Sequence, residues 1–349
     1  MKVLIVAPNW VGDLVIAQGL MRLLKQNNPE VVIHVLVRGK LSSLLERMPE
    51  VDKILLAPTV SGKLQLKSQY FFARSLRAEK YDQAIVLPNS FKSALLPFLA
   101  KIPKRTGWRG EMRYLLLNDL RVGVAKFPSL VQRFLFLGLA SESRNLAPED
   151  AKRVFMHEQY LPQLRTTAEN IETALQRLHL SRPRRLLAIC PGAEYGPAKR
   201  WPVEYFAELI KTVAPHWDVW LLGSERDRVI TDEIQKLSGN LGVNLAGKTN
   251  LAEVVDLLSL AAVVITNDSG LMHIAAALDK PLIAIYGSSS PQFTPPLTDK
   301  AQIVTLNLPC SPCFQRTCPL GHLRCLRDLT PEVIVKIVRD NFSNENLSH

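Results

Sequence analysis

Long hydrophobic runs are missing from the sequence: none approaches the ~18 residues that a membrane-spanning helix needs. A secretory signal peptide is not expected either, because Asp13 interrupts the N-terminal apolar stretch before its hydrophobic region is complete. With 349 residues, 47% of them hydrophobic, the chain is long enough for two folded domains. We therefore expect a cytoplasmic protein.

Glycine-rich phosphate-binding motifs are also missing. The turn Ala7–Asp13 has one glycine instead of the G-x-G-x-x-G pattern of dinucleotide-binding enzymes, and no Walker A lysine motif occurs. These absences argue against a dehydrogenase and against a P-loop NTPase. No Asp-x-Asp pair occurs, although a metal-bridged diphosphate usually needs closely placed carboxylates. We expect neither a metal in the reaction nor a cofactor.

Acidic residues are scarce in the first part of the chain. Residues 1–200 hold 31 Lys and Arg against 16 Asp and Glu, a formal charge of +15, whereas residues 201–349 hold 12 against 16, or −4. The surplus of positive charge in residues 1–200 indicates an anionic partner. Nucleic acid is not expected, since no RNA-binding aromatic signature or helix-turn-helix pattern accompanies the charge. An anionic lipid or a sugar acid fits, and so does a solvated basic surface.

Strand-like and helix-like segments alternate, and the pattern restarts after an irregular region at about 128–182 that includes a charged stretch at 148–153. The expected strands are Val3–Ala7, Val31–Val37, Lys53–Leu56, Gln83–Leu87, Leu186–Cys190, Val219–Leu222, Val263–Thr266 and Leu282–Tyr286. The expected helices are Leu14–Gln26, Leu41–Arg47, Leu64–Ala78, Phe91–Leu99, Val203–Val213, Arg226–Leu237, Leu251–Ala261 and Pro331–Phe342, with a polar tail. This alternation predicts an α/β protein of two Rossmann-like domains, whose parallel sheets face each other across a central cleft.

A polar turn after a buried strand is the strongest functional signal. An apolar run leads into Thr266–His273, and small residues follow, which predicts a strand, a tight turn and a helix. Free amides at such a helix start, and the positive end of its dipole, form a receptor for phosphate. Gly270 leaves room for a ligand, and Asp268 offers a carboxylate to its hydroxyls. His273, four residues after Ser269, lies on the same helix face. The alternative is an ordinary helix capped by Asn or Asp.

Two further loops of the second part follow predicted strands. Pro191–Pro202 carries Lys199 and Arg200, whose charge can offset that of a departing diphosphate. The alternative is a pair of exposed basic residues, and for Arg200 we favour it. Glu225 either reaches a ribose or base, or is simply an acidic residue in a first helical turn.

Asp13 places a carboxylate after the first predicted strand. As a general base, it would accept the proton of a hydroxyl while a new bond forms. Its alternative role is the N-cap of the following helix, which is common for Asp in this position.

Over essentially the whole chain, the sequence resembles the ADP-heptose–lipopolysaccharide heptosyltransferases of glycosyltransferase family nine. The segments that carry the resemblance are Asn9–Asp13, Leu87–Ala94, Arg105–Tyr114, Cys190–Glu194, Pro197–Pro202 and Thr266–His273. The resemblance implies the GT-B fold, with an acceptor-binding domain at 1–165 and an ADP-sugar-binding domain at 166–349. It also implies inverting transfer of L-glycero-D-manno-heptose from ADP-heptose to the first heptose of the lipopolysaccharide inner core, in heptosyl-Kdo2-lipid A.

The resemblance further assigns roles to residues. It makes Asp13 the general base on the acceptor hydroxyl and Lys199 the cation that faces the leaving diphosphate. The donor-binding residues are Lys199, Glu225, Asp268, Ser269, Gly270 and His273. The acceptor-binding residues are Lys92, Arg105, Trp108, Arg109 and Arg113, interleaved with Phe91 and Tyr114 as sugar-stacking faces; Trp108 or Phe91 as core residues is the alternative. We also expect peripheral contact with the inner leaflet of the cytoplasmic membrane.

Three other functions remain open at this point. A related heptosyltransferase would act on the Kdo residue or on a later heptose. A nucleotide-sugar epimerase of GT-B architecture would need no lipid acceptor and no basic first part. A non-catalytic sugar-nucleotide binding protein would tolerate the loss of Asp13.

Four of the five cysteines cluster as Cys310-x2-Cys313-x4-Cys318-x6-Cys325, with His322 between the last two. Disulfides are disfavoured in a cytosolic protein, so such a cluster indicates a metal site rather than disulfide bonds. The spacing fits no standard zinc ribbon, and the transfer chemistry requires no metal here. We therefore favour a loop of reduced cysteines over a structural Zn²⁺ site. Cys190 is expected to be a small core residue of a strand.

Overall fold

The computed structural model of the chain describes residues 1–58, 66–139 and 158–342. It divides the chain into two compact units, Met1–Gln163 and Leu164–His349. The charged stretch at 148–153 and the polar tail lie outside the described residues. None of the helices in the described ranges is long and apolar enough to cross a membrane.

Each unit contains a six-stranded sheet in which all neighbouring strands are parallel. The strands of the first unit are β1 Lys2–Val6, β2 Val32–Val37, β3 Lys53–Leu56, β4 Gln83–Val86, β5 Lys104–Trp108 and β6 Asp119–Arg121. Those of the second are β7 Leu186–Cys190, β8 Asp218–Leu221, β9 Val243–Asn244, β10 Ala261–Asn267, β11 Leu282–Ile285 and β12 Ala301–Val304. The expected α/β class with two parallel sheets is confirmed.

The described α-helices connect and flank these strands. In the first unit they are α1 Val11–Asn27, α2 Ser42–Leu45, α3 Leu66–Arg77, α4 Phe91–Leu99 and α5 Leu130–Gly138. In the second they are α6 Ala168–Arg177, α7 Val203–Val213, α8 Arg228–Leu237, α9 Leu251–Leu258, α10 Gly270–Ala277, α11 Arg324–Arg327 and α12 Pro331–Phe342. The predicted helix at 41–47 is shorter in the structure, because a 3-10 turn at Gly39–Leu41 precedes α2.

The central strands supply the cores of both units. Apolar side chains of β1 and β4 pack with α3 and α4 in the first unit, and those of β7, β10 and β11 pack with α7 and α12 in the second. Helices α1 and α5 approach closely at Gly138, where a Cβ would stand 2.4 Å from Leu20 Cδ1. A larger residue at 138 would therefore push these helices apart.

Both sheets have the same topology, and it determines where loops meet. The orders are β3-β2-β1-β4-β5-β6 and β12-β11-β10-β7-β8-β9. In each sheet the first and fourth strands of the unit are parallel neighbours. The order in which successive strands are added across the sheet therefore reverses between β1 and β4 and between β7 and β10. Ligands of open parallel sheets bind outside the carboxyl ends of the strands at such a switch point. The predicted site residues Asp13 and Asp268 follow β1 and β10 closely.

Candidate active site

The side chain of Asn267 joins the loops at the switch point of the second sheet. Its Nδ2 donates to Pro191 O at 2.6 Å, and its Oδ1 accepts from Trp201 N at 3.1 Å. Asn267 is fully buried. The amide thus fixes both ends of the Pro191–Trp201 loop relative to the end of β10. The sequence pattern indicates no role for Asn267, although this residue lies inside the polar turn Thr266–His273.

Lys199 and Asp268 form an ion pair at this point. Lys199 Nζ donates to Asp268 Oδ2 at 2.5 Å, and the two side chains are 16% and 4% exposed. Lys199 ends the 3-10 turn Pro197–Lys199, and its Nζ also lies 5.1 Å from the centroid of the Tyr195 ring. The structure therefore brings together two predicted donor-binding residues. Tyr195, which sequence reasoning missed, contributes an aromatic face beside the cation.

The helix start predicted for phosphate binding is present. Ser269 is the N-cap of α10 and makes no side-chain capping hydrogen bond, and Gly270 is the first helical residue. The alternative of an Asn or Asp cap is wrong, because the helix begins just after Ser269. Asp268 instead turns its carboxylate to Lys199. The dipole and first amides of α10 consequently lie next to a lysine and a glycine, which suits an anionic ligand.

His273 lies beneath this helix start as a neutral imidazole. Burial, together with the charge of Lys199, lowers its pKa to about 4, although Asp268 acts in the opposite direction. Tyr286 lies near the same carboxylate, and burial, with a smaller effect of Asp268, raises the pKa of Tyr286. His273 is 5% exposed, so little of its imidazole is accessible to a ligand.

Glu225 and Arg200 stand apart from this pair. Glu225 is the first residue of a 3-10 turn, its side chain is 69% exposed, and it pairs with Arg228 at 3.0 Å. This placement agrees with its role as a first-turn acid and leaves the carboxylate accessible. Arg200 donates through Nε and Nη2 to Ala193 O, at 3.2 and 3.1 Å. Its guanidinium holds its own loop, which differs from the exposed residue that we expected.

Asp13 lines a cavity of about 250 Å³ at the switch point of the first sheet. The N-cap of α1 is Trp10, and Asp13 is the third helical residue, so the N-cap alternative is wrong. The cavity is also lined by residues that follow β1 and β4, namely Pro8, Asn9, Trp10, Leu87, Pro88 and Asn89. Its volume lies a little below the range of about 300–1,000 Å³ that is usual for small-molecule sites.

One predicted acceptor-binding residue, Trp108, lines this cavity, and a second, Arg113, holds a loop that lines it. Trp108 is 2% exposed, lines the cavity, and stacks on Phe136 with ring centroids 5.4 Å apart. Arg113 is 1% exposed and donates to Pro88 O at 2.7 Å and to Asn89 Oδ1 at 3.2 Å. Arg113 therefore positions the loop after β4. A single sequence gave no sign that this arginine is buried.

The other three acceptor candidates lie elsewhere on the first unit. Arg105 is partly buried and donates to Leu116 O at 2.7 Å and to Ile102 O at 2.6 Å. Lys92 and Arg109 are exposed. Phe91 is 43% exposed, so the alternative that it is a core residue is wrong. Lys92 and Arg109 thus remain available for an anionic ligand, whereas the guanidinium of Arg105 is engaged by backbone carbonyls.

Cys310, Cys313 and Cys318 lie in the loop between β12 and α11, and Cys325 lies in α11. All five cysteines are free thiols. Burial raises the pKa of Cys325, and the other three clustered thiols act in the same direction. Backbone amides, that of Leu323 most strongly, lower the pKa of Cys318. Cys190 is buried in β7, as expected.

An enzyme that moves a sugar from a nucleotide needs a base for the acceptor and a cation for the departing phosphates. A carboxylate and a lysine stand at the switch points of the two units. Fold and site together define a glycosyltransferase of the GT-B class.

Comparison with known proteins identifies the family. Residues 70–324 match glycosyltransferase family 9 (heptosyltransferase). The chain is 40% identical to lipopolysaccharide heptosyltransferase 2 of Salmonella typhimurium, over 99% of this chain and 100% of the relative. It is 45% identical to lipooligosaccharide heptosyltransferase 2 of Haemophilus influenzae, over 88% and 89%. The solved structure of E. coli ADP-heptose LPS heptosyltransferase II superposes with a TM-score of 0.86 at 38% identity, covering 97% of this chain and 98% of that one.

The chain belongs to glycosyltransferase family 9, the heptosyltransferases. It is a transferase of lipopolysaccharide core biosynthesis, which confirms the resemblance seen in its sequence motifs and excludes a non-catalytic binding protein.

Proposed function

We propose that the chain transfers L-glycero-D-manno-heptose from ADP-heptose to the first heptose of heptosyl-Kdo2-lipid A, with inversion at the anomeric carbon. The Lys199–Asp268 pair at the start of α10 is the observation that supports this most directly. A diphosphate that binds there meets the ammonium, the helix dipole and the amides after Ser269. Asp268 is then free to accept hydrogen bonds from heptose hydroxyls.

Asp13 acts as the general base in this proposal. It accepts the proton of the acceptor hydroxyl while that oxygen bonds to the anomeric carbon and the bond from that carbon to the diphosphate breaks. The negative charge then passes to ADP, where Lys199 offsets it. No divalent ion takes part in this step, because the lysine and the helix start supply the positive charge. Glu225, whose carboxylate is accessible, binds the ribose.

The test is a transfer assay with two acceptors, Kdo2-lipid A with and without its first heptose, incubated with ADP-heptose and no added metal. Mass gain and ADP release are followed together. We expect heptose on the heptosylated acceptor alone. Transfer to the unheptosylated acceptor would instead assign the first-heptose reaction, and conversion of the nucleotide-sugar without transfer would favour the epimerase, which the family match does not favour.

Peripheral membrane contact is the second part of the proposal. Met112 and Leu115 are 83% and 86% exposed, Tyr114 is 59% exposed, and Lys92 and Arg109 lie in the adjoining segments. Apolar side chains among cations favour the surface of an anionic bilayer. We expect salt-sensitive co-sedimentation with anionic vesicles, weakened by Met112→Ser with Leu115→Ser. Equal binding to neutral vesicles would contradict this part.

A further inference from the structure

The cysteine loop contains a second, separate group of reactive side chains. Cys310, Cys313, Cys318 and Cys325 all line one cavity of about 20 Å³, together with His322 and Ser288. All four are free thiols. The transfer reaction uses none of them. Four thiols around one small cavity are a set that soft metal ions prefer.

Ser288 gives an independent sign that this cavity takes a polar occupant. It is 1% exposed, and its Oγ has no hydrogen-bond partner. A buried hydroxyl without a partner is destabilising, so a polar group inside the cavity would stabilise it. A thiolate in the cavity would accept a hydrogen bond from this hydroxyl, and thiolates persist in such a place when a cation neutralises them.

Two hydrogen bonds hold the loop that carries the cysteines to the segment Gly287–Ser288, which follows β11. Phe314 N donates to Ser288 O at 2.7 Å, and Ser311 Oγ donates to Gly287 O. Apart from the four residues of α11, the loop has little regular structure, and Phe314 and Leu320 are 51% and 61% exposed. Apolar packing therefore contributes little to its order, which is the situation in which structural metals stabilise a segment.

We propose that Cys310, Cys313, Cys318 and Cys325 bind one thiophilic ion, Zn²⁺ or Fe²⁺, through four thiolates. Within residues 1–58, 66–139 and 158–342, no group of three or more Cys, His, Asp or Glu side chains is arranged so that it could hold a metal ion without movement. The thiols of the loop turn toward one another as the ion enters, until each sulfur lies about 2.3 Å from it. Each thiol loses its proton on binding. His322 is not a ligand, since its Nδ1 accepts from Arg324 N at 3.0 Å.

The ion would act on the lysine loop of the active site. Arg316 O, between the second and third cysteines, accepts from Ala198 N at 3.0 Å. Gly196 packs on the same oxygen, where a Cβ would stand 2.5 Å away. Phe314 O accepts from Tyr195 Oη at 2.6 Å. A metal that orders the cysteine loop therefore positions the segment carrying Lys199.

The experiment measures metal in full-length protein purified under reducing conditions, by mass spectrometry of the elements. We expect roughly one equivalent of zinc or iron per chain, and Co²⁺ reconstitution should give the absorption of a tetrahedral cobalt thiolate. Cys310→Ser with Cys313→Ser should lower the bound metal by about tenfold or more. Cys190→Ala, which removes the buried thiol of β7, is the matched control and should keep the metal.

Wild-type protein provides a second measurement that does not depend on variant folding. Titration with a mercurial should release the metal in proportion to the modification of the four loop thiols. Metal-free protein with five free thiols and no cobalt uptake would overturn the proposal, as would a disulfide among the four or metal retained by the double variant. Metal stoichiometry is independent of heptose transfer, so this result and that of the acceptor assay are separate.

Discussion

Lys199 and Asp268 are 69 residues apart in the chain, yet the ammonium of one donates a hydrogen bond to the carboxylate of the other. Each has an alternative partner in the proposed reaction, the diphosphate for Lys199 and the heptose hydroxyls for Asp268. Donor binding would therefore replace one ion pair by two separate sets of contacts. The pair keeps both groups in place, and compensates both charges, before the donor arrives.

Removing Lys199 tests this relationship. Lys199→Ala should lower kcat by about 10²–10³-fold, because charge on the leaving diphosphate is no longer offset. It should also lower the free energy of unfolding by roughly 3 kcal/mol, because the Asp268 carboxylate stays buried without its cation. Enzyme kinetics and chemical denaturation measure the two effects. Lys211→Ala, which removes an exposed lysine of the same unit, is the control.

A double variant separates the two contributions. Lys199→Ala combined with Asp268→Asn should regain much of the lost stability, since no uncompensated carboxylate remains. It should regain no activity. If the double variant were no more stable than Lys199→Ala, the ion pair would not explain the loss.

Asp13→Asn tests the base. The amide has the same shape but cannot accept the proton, so kcat should fall by about 10²–10⁴-fold. ADP binding, measured by calorimetry, should not change, because Asp13 lines a cavity made by the first unit. Glu46→Gln, an exposed carboxylate of the same unit, should leave kcat unaffected. An Asp13→Asn enzyme with wild-type kcat would exclude the assigned role.

His273 should make stability depend on pH. Its folded pKa of about 4 lies below the ordinary 6.5, so the unfolded chain binds more protons between these values. The contribution to stability is therefore fully present above pH 6.5 and is lost as pH falls toward 4, by about 3 kcal/mol in total. Denaturation at several pH values measures the slope. His273→Gln should flatten it, whereas His179→Asn, at an exposed position with φ 53°, should not.

Arg113 and Arg109 should behave differently although both were predicted to bind the acceptor. Arg113→Met leaves the acceptors Pro88 O and Asn89 Oδ1 without their donor, and should lower the unfolding free energy by about 2 kcal/mol or more. Arg109→Ala should leave stability within about 0.5 kcal/mol and raise KM for the acceptor. Equal stability of the two variants would contradict the structural role of Arg113.

The central strands could be predicted because buried parallel strands are continuous apolar runs. Lys53–Leu56 and Leu186–Cys190 agree with the structure residue for residue, and α4, α7 and α12 do as well. Four outer strands were missed: β5, β6, β9 and β12. The segment Lys104–Trp108 begins with two cations and contains a glycine, and Val243–Asn244 is only two residues long. Neither segment has the apolar pattern of a strand. Each becomes a strand by pairing with a neighbouring strand of the sheet, β5 with β4 and β9 with β8.

Site residues were predictable where chemistry depends on local pattern. The turn at 268–270 before a helix is such a pattern, and so is a lysine before a Trp-Pro helix start. Burial is a property of the folded chain, and Arg113 and Trp108 show this. Their residue types suggested ligand binding, whereas both are buried, Trp108 in the wall of the cavity and Arg113 against the loop after β4. The pairing of Lys199 with Asp268 was likewise beyond reach, since it results from the neighbouring positions of β7 and β10.

The buried amide of Asn267 makes the enzyme sensitive to a covalent change that leaves every substrate contact intact. Deamidation would replace the nitrogen that donates to Pro191 O by an oxygen, and two oxygens would then face each other at 2.6 Å. A second carboxylate would also stand next to Asp268. Deamidation at this one position would therefore loosen the loop that carries Lys199.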